Sequence, residues 1–492
     1  MKLILRRSVL ITGIVSAFSV GGYLLTSHWF YEIGFPLDDA WIHQTYARNL
    51  ALHGEWSYIL GHPSGGSTGP LWSAILAIGY LFGIAPYIWT YLIGWLLLWM
   101  LSVVGILLSQ VLNPAGVRYA IWTGLLLSLE WHLIWMAGSG METLLFTLVA
   151  TSVLATLMYH NRTKTIWWVM GGSIGLSVWL RPDGITLLGP ALMVLFLAGR
   201  NRREVLRIGA CLLAGFLLAF IPYLLFNQNI AGSWWPNTFF AKQAEYAELQ
   251  NIPFYRRLLN QALLPMVGVG ATLLPGFLLF SVDAVKEKRW KILAVILWIV
   301  GYLWMYAWRL PVTYQHGRYV MPMMPAAFIF GFAGLTRWVQ NETKNKWQWI
   351  LKRAWFATVV IVLLSFWIMG ARAYAQDVAV IESEMVATAD WLNKNLPEDA
   401  LIAIHDVGAV GYFTNFTLVD LAGFISPDVI PILRDESLLK KYLDDQEVDY
   451  LVTFPGWYPV LTTQAELIFT TKGTIAPSLD YENMAVYRWN GP

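Results

Sequence analysis

Runs of 15 to 24 apolar residues, interrupted by short polar loops, recur from the N-terminus to about residue 371. A run of ~20 apolar residues is long enough to cross a bilayer. Inside lipid a span must satisfy its own backbone groups, so unbroken apolar runs read as helices. The pattern predicts about eleven transmembrane helices: 8–27, 87–110, 119–137, 142–160, 166–180, 184–199, 208–226, 263–282, 292–309, 319–337 and 355–371. Leu71–Phe82 is apolar but only a dozen residues long, too short to span, and reads as a re-entrant or interfacial helix. The distribution of positive charge supports that choice. Lys2, Arg6 and Arg7, the run RREVLR, and Lys286, Lys288, Arg289 and Lys291 then share one side, which the positive-inside rule makes cytoplasmic. Counting Leu71–Phe82 as a span would turn every later loop over. The first helix, preceded by basic residues and lacking a clear cleavage site, reads as retained with its N-terminus in the cytoplasm.

Beyond residue 371 charge returns and the period changes. ALIAIHD, TLVDLAG, DYLVTF and AVYRW read as strands, and EMVATADWLNKNL and ESLLKKYLDDQ as amphipathic helices. The predicted architecture is an α-helical polytopic membrane part, residues 1–374, and a soluble α/β domain, residues 375–492. Parity places this tail outside the cytoplasm.

Composition narrows the class. The chain is 57% hydrophobic and 13% charged with a net charge of +2, so nothing in its balance suggests a nucleic-acid partner. The single cysteine, Cys211, excludes an intrachain disulfide and a multi-cysteine metal site. No HExxH and no GxSxG motif occurs.

The candidate chemistry gathers in the predicted outer loops. Asp38 and Asp39 are adjacent. Repulsion between them suits a general base near neutral pH, and an N-cap of the helix that follows is the plainer reading. His43 and Tyr46 share a helical face with Asp39. Glu142 opens the fourth predicted span, where an acid is favourable at a helix N-terminus. Arg181 and Asp183 form the turn RPDG between two short spans, as a local ion pair or a cavity lining. Arg318, after His316, reads as a phosphate-binding or a snorkelling arginine, and Lys242 has the same two readings. His62 opens HPSGGSTGP, a glycine-rich turn without the lysine of a phosphate loop. In the tail, Asp406 and Asp420 sit at strand ends as turn caps or as contacts to an acceptor glycan.

DDAWIHQTYARNLALHG, GSTGPLW, SGMETLLF, RPDG, GRYVMPMMP, HDVGAVGYF and DLAGF, in this order, resemble the GT-C superfamily of integral-membrane glycosyltransferases, closest to its arabinofuranosyl- or mannosyltransferase-like members. The resemblance covers nearly the whole chain. It implies a polytopic enzyme of the plasma (inner) membrane that moves a sugar, with inversion, from a polyprenyl-phosphate carrier to a hydroxyl of a glycan, lipid or protein. It implies that Asp38 or Asp39 is the base and that Arg318 contacts the lipid phosphate. His316, Lys242 and His62 stand behind Arg318 as phosphate contacts, while His43, Glu142, Arg181 and Asp183 are further substrate-binding candidates. Some members use a divalent cation and others do not, so a metal stays open. The competing class is a transporter or lipid-sugar flippase, for which charges at mid-membrane and an inverted repeat would speak. Here the charges lie at the outer helix ends.

Overall fold

The computed structural model describes residues 2–113, 119–159, 163–197, 201–342 and 345–489. The membrane part contains helices α1 (Lys2–Phe30), α2 (Asp39–His53), α3 (Pro70–Leu81), α4 (Pro86–Leu112), α5 (Ala120–Leu129), α6 (Trp131–Gly138), α7 (Thr143–Met158), α8 (Lys164–Val178), α9 (Leu188–Leu197) and α10 (Arg202–Ala231). It continues through α11 (Asn237–Glu245), α12 (Phe254–Leu263), α13 (Val269–Lys286), α14 (Trp290–Arg309), α15 (Met324–Gln340) and α16 (Lys346–Val380). A small hairpin, β1 (Ser57–Ile59) with β2 (His62–Pro63), follows α2.

A helix stands at each of the eleven predicted spans. Among the described residues seven helices are long and apolar enough to cross a membrane, or eight if the α5–α6 pair is one span. The segments at 142–160, 166–180 and 184–199 are shorter. Much of α7 is buried among the other helices. The predicted continuous span at 119–137 is broken, because α5 and α6 meet at 54°. The cause is Glu130. It caps α6 by accepting from the Leu133 N–H and pairs with His132 at 2.8 Å.

Close helix packing is bought with small residues, since lipid supplies no hydrophobic drive between helices. A Cβ on Gly171 of α8 would meet the Leu212 carbonyl of α10 at 2.0 Å, and one on Gly215 would meet the Trp168 carbonyl at 2.1 Å. These backbones touch.

The helix α16 does not stop at the membrane. It passes through a π-helical turn, Ile381–Val386, into α17 (Ala387–Asn395). The tail sheet then forms from β3 (Leu401–Ile404), α18 (Val407–Phe413), β4 (Thr417–Asp420), α19 (Glu436–Asp445), β5 (Tyr450–Thr453), β6 (Glu466–Thr470) and β7 (Ala485–Arg488). Strand order is β4-β3-β5-β7-β6. The first three strands are parallel, and β7 runs antiparallel to β5 and β6. Four of the five strands and α19 are those predicted; β6 and α18 were not.

Helix α2 explains how the two parts join. Its composition is only weakly apolar, yet Trp41, His43, Gln44, Tyr46 and Asn49 are all buried. Its partners are α3 on one side and α18 of the tail on the other. Trp41 packs against Tyr412 and Phe413, and the Arg48 guanidinium donates to the Tyr412 carbonyl at 2.7 Å.

Candidate active site

The first helical turn of α2 sets the two aspartates in different surroundings. Both oxygens of Asp38 accept backbone N–H groups at the start of α18, from Gly408 at 2.6 Å and Ala409 at 2.7 Å. Asp38 therefore caps a helix, though one 370 residues further along the chain rather than its own. Burial, followed by the charge of Asp406, pushes its pKa up to about 8 against the pull of these two donors. A side chain on Gly408 has no room: its Cβ would lie 2.0 Å from the Asp38 carbonyl oxygen.

Asp39 turns the other way. Its Oδ2 accepts from Arg318 Nη2 at 2.5 Å and from Lys242 Nζ at 3.1 Å. Burial opposes ionisation, but the two cations outweigh it and hold the Asp39 pKa well below the usual carboxylate range. Arg318 is 5% exposed, and its Nη1 has no hydrogen-bond partner among the described residues. Its Nη2 also donates to the Tyr319 hydroxyl at 3.2 Å. Lys242 lies over the rings of Tyr319 and Phe424.

Lys242 and Arg318 stand on the wall between two cavities. One, ≈ 490 Å³, lies among the membrane helices and is lined by Phe239, Phe240, Met305, Tyr306 and Leu310 with Glu142, Arg181, Asp183 and Arg309. The other, ≈ 1050 Å³, opens between the bundle and the tail, lined by Asp38, Asp39, Tyr246, Tyr314, His316, Asp377, His405, Asp406 and Trp457 among others.

The remaining predicted residues sort by position. Arg181 is the centre of a buried network at the first cavity: it donates to Asp183 at 3.2 Å, to Glu142 at 3.4 Å and to the Tyr306 hydroxyl at 2.9 Å. Tyr302 and Tyr306, one turn apart on α14, both donate to Asp183. His43 stands behind this wall, sharing a hydrogen bond with Ser73 at 2.9 Å and lying 3.3 Å from Glu142. His316 lies in the second cavity, 2.8 Å from Asp377, which also accepts from Trp135. His62 is exposed on the hairpin and lines neither cavity. Asp420 caps a turn as expected, accepting from Ala422, Phe424 and Ile425. Asp406 is a correction: as the residue before α18 it makes no cap hydrogen bond, because Asp38 has taken the N–H groups.

Sequence reading missed Tyr302, Tyr306, Tyr319 and Asp377. Tyrosines at i and i+4 in an otherwise apolar helix, and a lone aspartate near the end of α16, were the available signals. Among the described residues no group of three or more His, Cys, Asp or Glu is placed to hold a metal ion.

Comparison with known proteins bears on the fold. Residues 372–487 match a family model described as a domain of unknown function (DUF8728). No curated protein sequence matches the chain. Among solved structures, ArnT from Cupriavidus metallidurans bound to undecaprenyl phosphate is 15% identical, with a TM-score of 0.61 over 96% of this chain and 97% of that one. The oligosaccharyltransferase AglB from Archaeoglobus fulgidus, in complex with an inhibitory peptide and a dolichol-phosphate, is 12% identical, with a TM-score of 0.63 over 92% and 69%. The arabinofuranosyltransferase AftD from Mycobacteria is 15% identical, with a TM-score of 0.52 over 97% of this chain and 40% of that one. The chain is a multi-pass membrane protein with the GT-C fold of the integral-membrane glycosyltransferases.

Proposed function

We propose that the protein transfers a sugar, a hexose or a pentose, from a polyprenyl-phosphate carrier to an acceptor hydroxyl at the outer face of the plasma membrane, with inversion. The observation that carries this reading is the pair Arg318 and Lys242, set between a largely apolar cavity among the membrane helices and a larger, more polar cavity under the tail. Lipid-linked donors need that arrangement, with a greasy path for the carrier and fixed positive charge where it ends. The structural neighbours bound to undecaprenyl phosphate and to a dolichol-phosphate support the same donor class.

The chemistry follows from charge. The donor phosphate is a diester and leaves as a monoester, so negative charge grows on it as its bond to the anomeric carbon breaks. Arg318, whose Nη1 has no partner among the described residues, and Lys242 beside it border both cavities and supply fixed positive charge for it. Asp39 keeps both cations in place. As the carboxylate at the reacting centre, it also faces the positive charge that develops on the sugar ring. Arg181, fixed by Glu142, Asp183 and Tyr306, lines the far wall of the donor cavity. The two cations facing Asp39 supply fixed positive charge beside the donor. The acceptor, a glycan, lipid or protein hydroxyl, enters from the cavity under the tail and attacks from the face opposite the phosphate. The basic loops stay in the cytoplasm and the tail lies outside.

Binding of undecaprenyl phosphate to the purified protein, followed by native mass spectrometry, tests the donor site. The wild type binds it, and Arg318→Gln weakens binding about 100-fold, the scale expected when a buried charged contact is lost. Equal binding by wild type and variant contradicts the assignment.

A further inference from the structure

Three aromatic side chains on the wall of the cavity under the tail are left open. Tyr314, Trp457 and Tyr481 line it and are 53%, 49% and 56% exposed. Among the described residues none of the three makes a side-chain hydrogen bond. Open aromatic surface gathered in one place marks a site that something covers.

Each ring is set by its turn. Trp457 ends the turn Pro455–Trp457 after β5, and the Gly456 N–H donates to Glu482 at 2.6 Å, which ties this turn to the one carrying Tyr481. Trp457 stands edge-on to His405, with ring centres 4.7 Å apart, and 5.1 Å from Phe454. Tyr314 leans on Tyr246 at 5.9 Å from the membrane side. It precedes Gln315 and His316, whose φ angles of +52° and +58° are seldom adopted by residues other than glycine. Strain of this kind is kept where it serves a site. The 2.8 Å contact of His316 with Asp377 holds it here.

The aromatic wall begins beside the cations. Lys242 reaches Asp39 at 3.1 Å and lies 5.5 Å from the centre of the Phe424 ring. Glu245, roughly one turn further along α11, lies 3.9 Å from His405, against which Trp457 packs.

Three features select the occupant. A sugar ring shows C–H groups on its faces and hydroxyls at its edge, so its faces suit the electron-rich faces of aromatic rings. The lining holds six carboxyl side chains against three from Lys or Arg, and Asp39 already pairs two of those cations, so an anionic acceptor is disfavoured. No residue of the tail's strands lines the cavity, so it offers a peptide no sheet edge to pair with. At ≈ 1050 Å³ against ≈ 490 Å³ for the donor cavity, it has room for more than one sugar ring.

We propose that the acceptor is an uncharged oligosaccharide, held in this cavity by stacking on Trp457, Tyr481 and Tyr314. The protein then lengthens or branches a glycan that an earlier transferase has begun. The inference rests on the transferase reading above and names its acceptor.

The test titrates short neutral oligosaccharides, acidic oligosaccharides and peptides against the full-length protein in lipid nanodiscs, read by saturation-transfer NMR without donor. The expected result is that a neutral series binds, more tightly as it lengthens. Trp457→Ala and Tyr481→Ala each weaken that binding about tenfold, and Trp457→Phe recovers most of it. Both alanine variants still bind undecaprenyl phosphate, and in a transfer assay their loss falls on the acceptor KM rather than on kcat. Binding of no neutral oligosaccharide, as expected of a mere interfacial aromatic belt, overturns the proposal. So does tighter binding of acidic oligosaccharides or peptides, or equal neutral binding by the wild type and both alanine variants. If one variant does not fold, the other decides. A protein that binds undecaprenyl phosphate but no glycan overturns this inference alone. One that binds glycan but no undecaprenyl phosphate overturns the transferase reading, and the acceptor role with it.

Discussion

Asp38 and Asp39 show how far a residue can be read without its partners. That two adjacent carboxylates matter was visible in the sequence. Their division of labour was not, because the groups that divide it are brought in from positions 242, 318, 408 and 409. The same distance misled at Asp406, whose place before a helix suggested a cap that Asp38 fills. Glu142, Arg181 and Asp183 were each legible as polar residues that the outer loops retain, but the tyrosines that tie them together lie on α14. At this scale Asp39→Asn is expected to lower transfer at least about 100-fold. The neutral side chain leaves Arg318 and Lys242 unbalanced beside the donor, so the loss appears in kcat measured with saturating donor. His62→Ala, on the exposed hairpin, is expected to leave both kcat and the donor KM within about twofold in the same assay.

The pairing of α2 with α18 is the element on which the site depends, since α2 carries Asp39 at one end. Arg48 of α2 donates to the Tyr412 carbonyl, and Tyr58 of the neighbouring β1 donates to the Val407 carbonyl, so α18 is held at both ends. Gly408→Ala is expected to cost about 2 kcal/mol, because the added Cβ meets backbone that cannot move aside. Limited proteolysis in detergent reads this as faster cleavage within 405–425. The junction is also sensitive to pH, and the sign follows from Asp38. Its folded pKa of about 8 lies above that of an unfolded aspartate, so docking takes up a proton between about pH 4 and 8. The stability that this contributes is fully present below that window and is lost as pH rises through it. The thermal midpoint of the wild type should therefore fall across this range, and Asp38→Asn should flatten the slope. A midpoint that rises with pH in both proteins contradicts the account. Helix α18 itself was illegible as a seven-residue helix because VGAVGYF has no polar face to show a period.

At the scale of the whole molecule the spans were the most legible feature, since an apolar run declares itself without reference to the rest of the fold. What the runs did not show was the depth of each helix. The break at Glu130 comes from a local cap on the Leu133 N–H inside an apolar run, and the burial of the short α7 follows from neighbours remote in sequence. The topology is open to direct test because Cys211 is the only cysteine. In a Cys211→Ser background, Glu398→Cys in the tail is expected to react with a membrane-impermeant thiol reagent on intact cells, and Lys286→Cys in a basic loop only after the cells are opened. The reverse pattern would place the site on the wrong face of the membrane. The most direct measurement of the central claim is transfer of labelled sugar from polyprenyl-phosphate donors by purified wild-type, Asp39→Asn and Arg318→Gln proteins. The account predicts that the wild type consumes one donor class and releases polyprenyl phosphate, and that both variants lose that activity. Variants that consume the donor as fast as the wild type, or a wild type that carries the donor across the bilayer with its sugar bond intact, would contradict it.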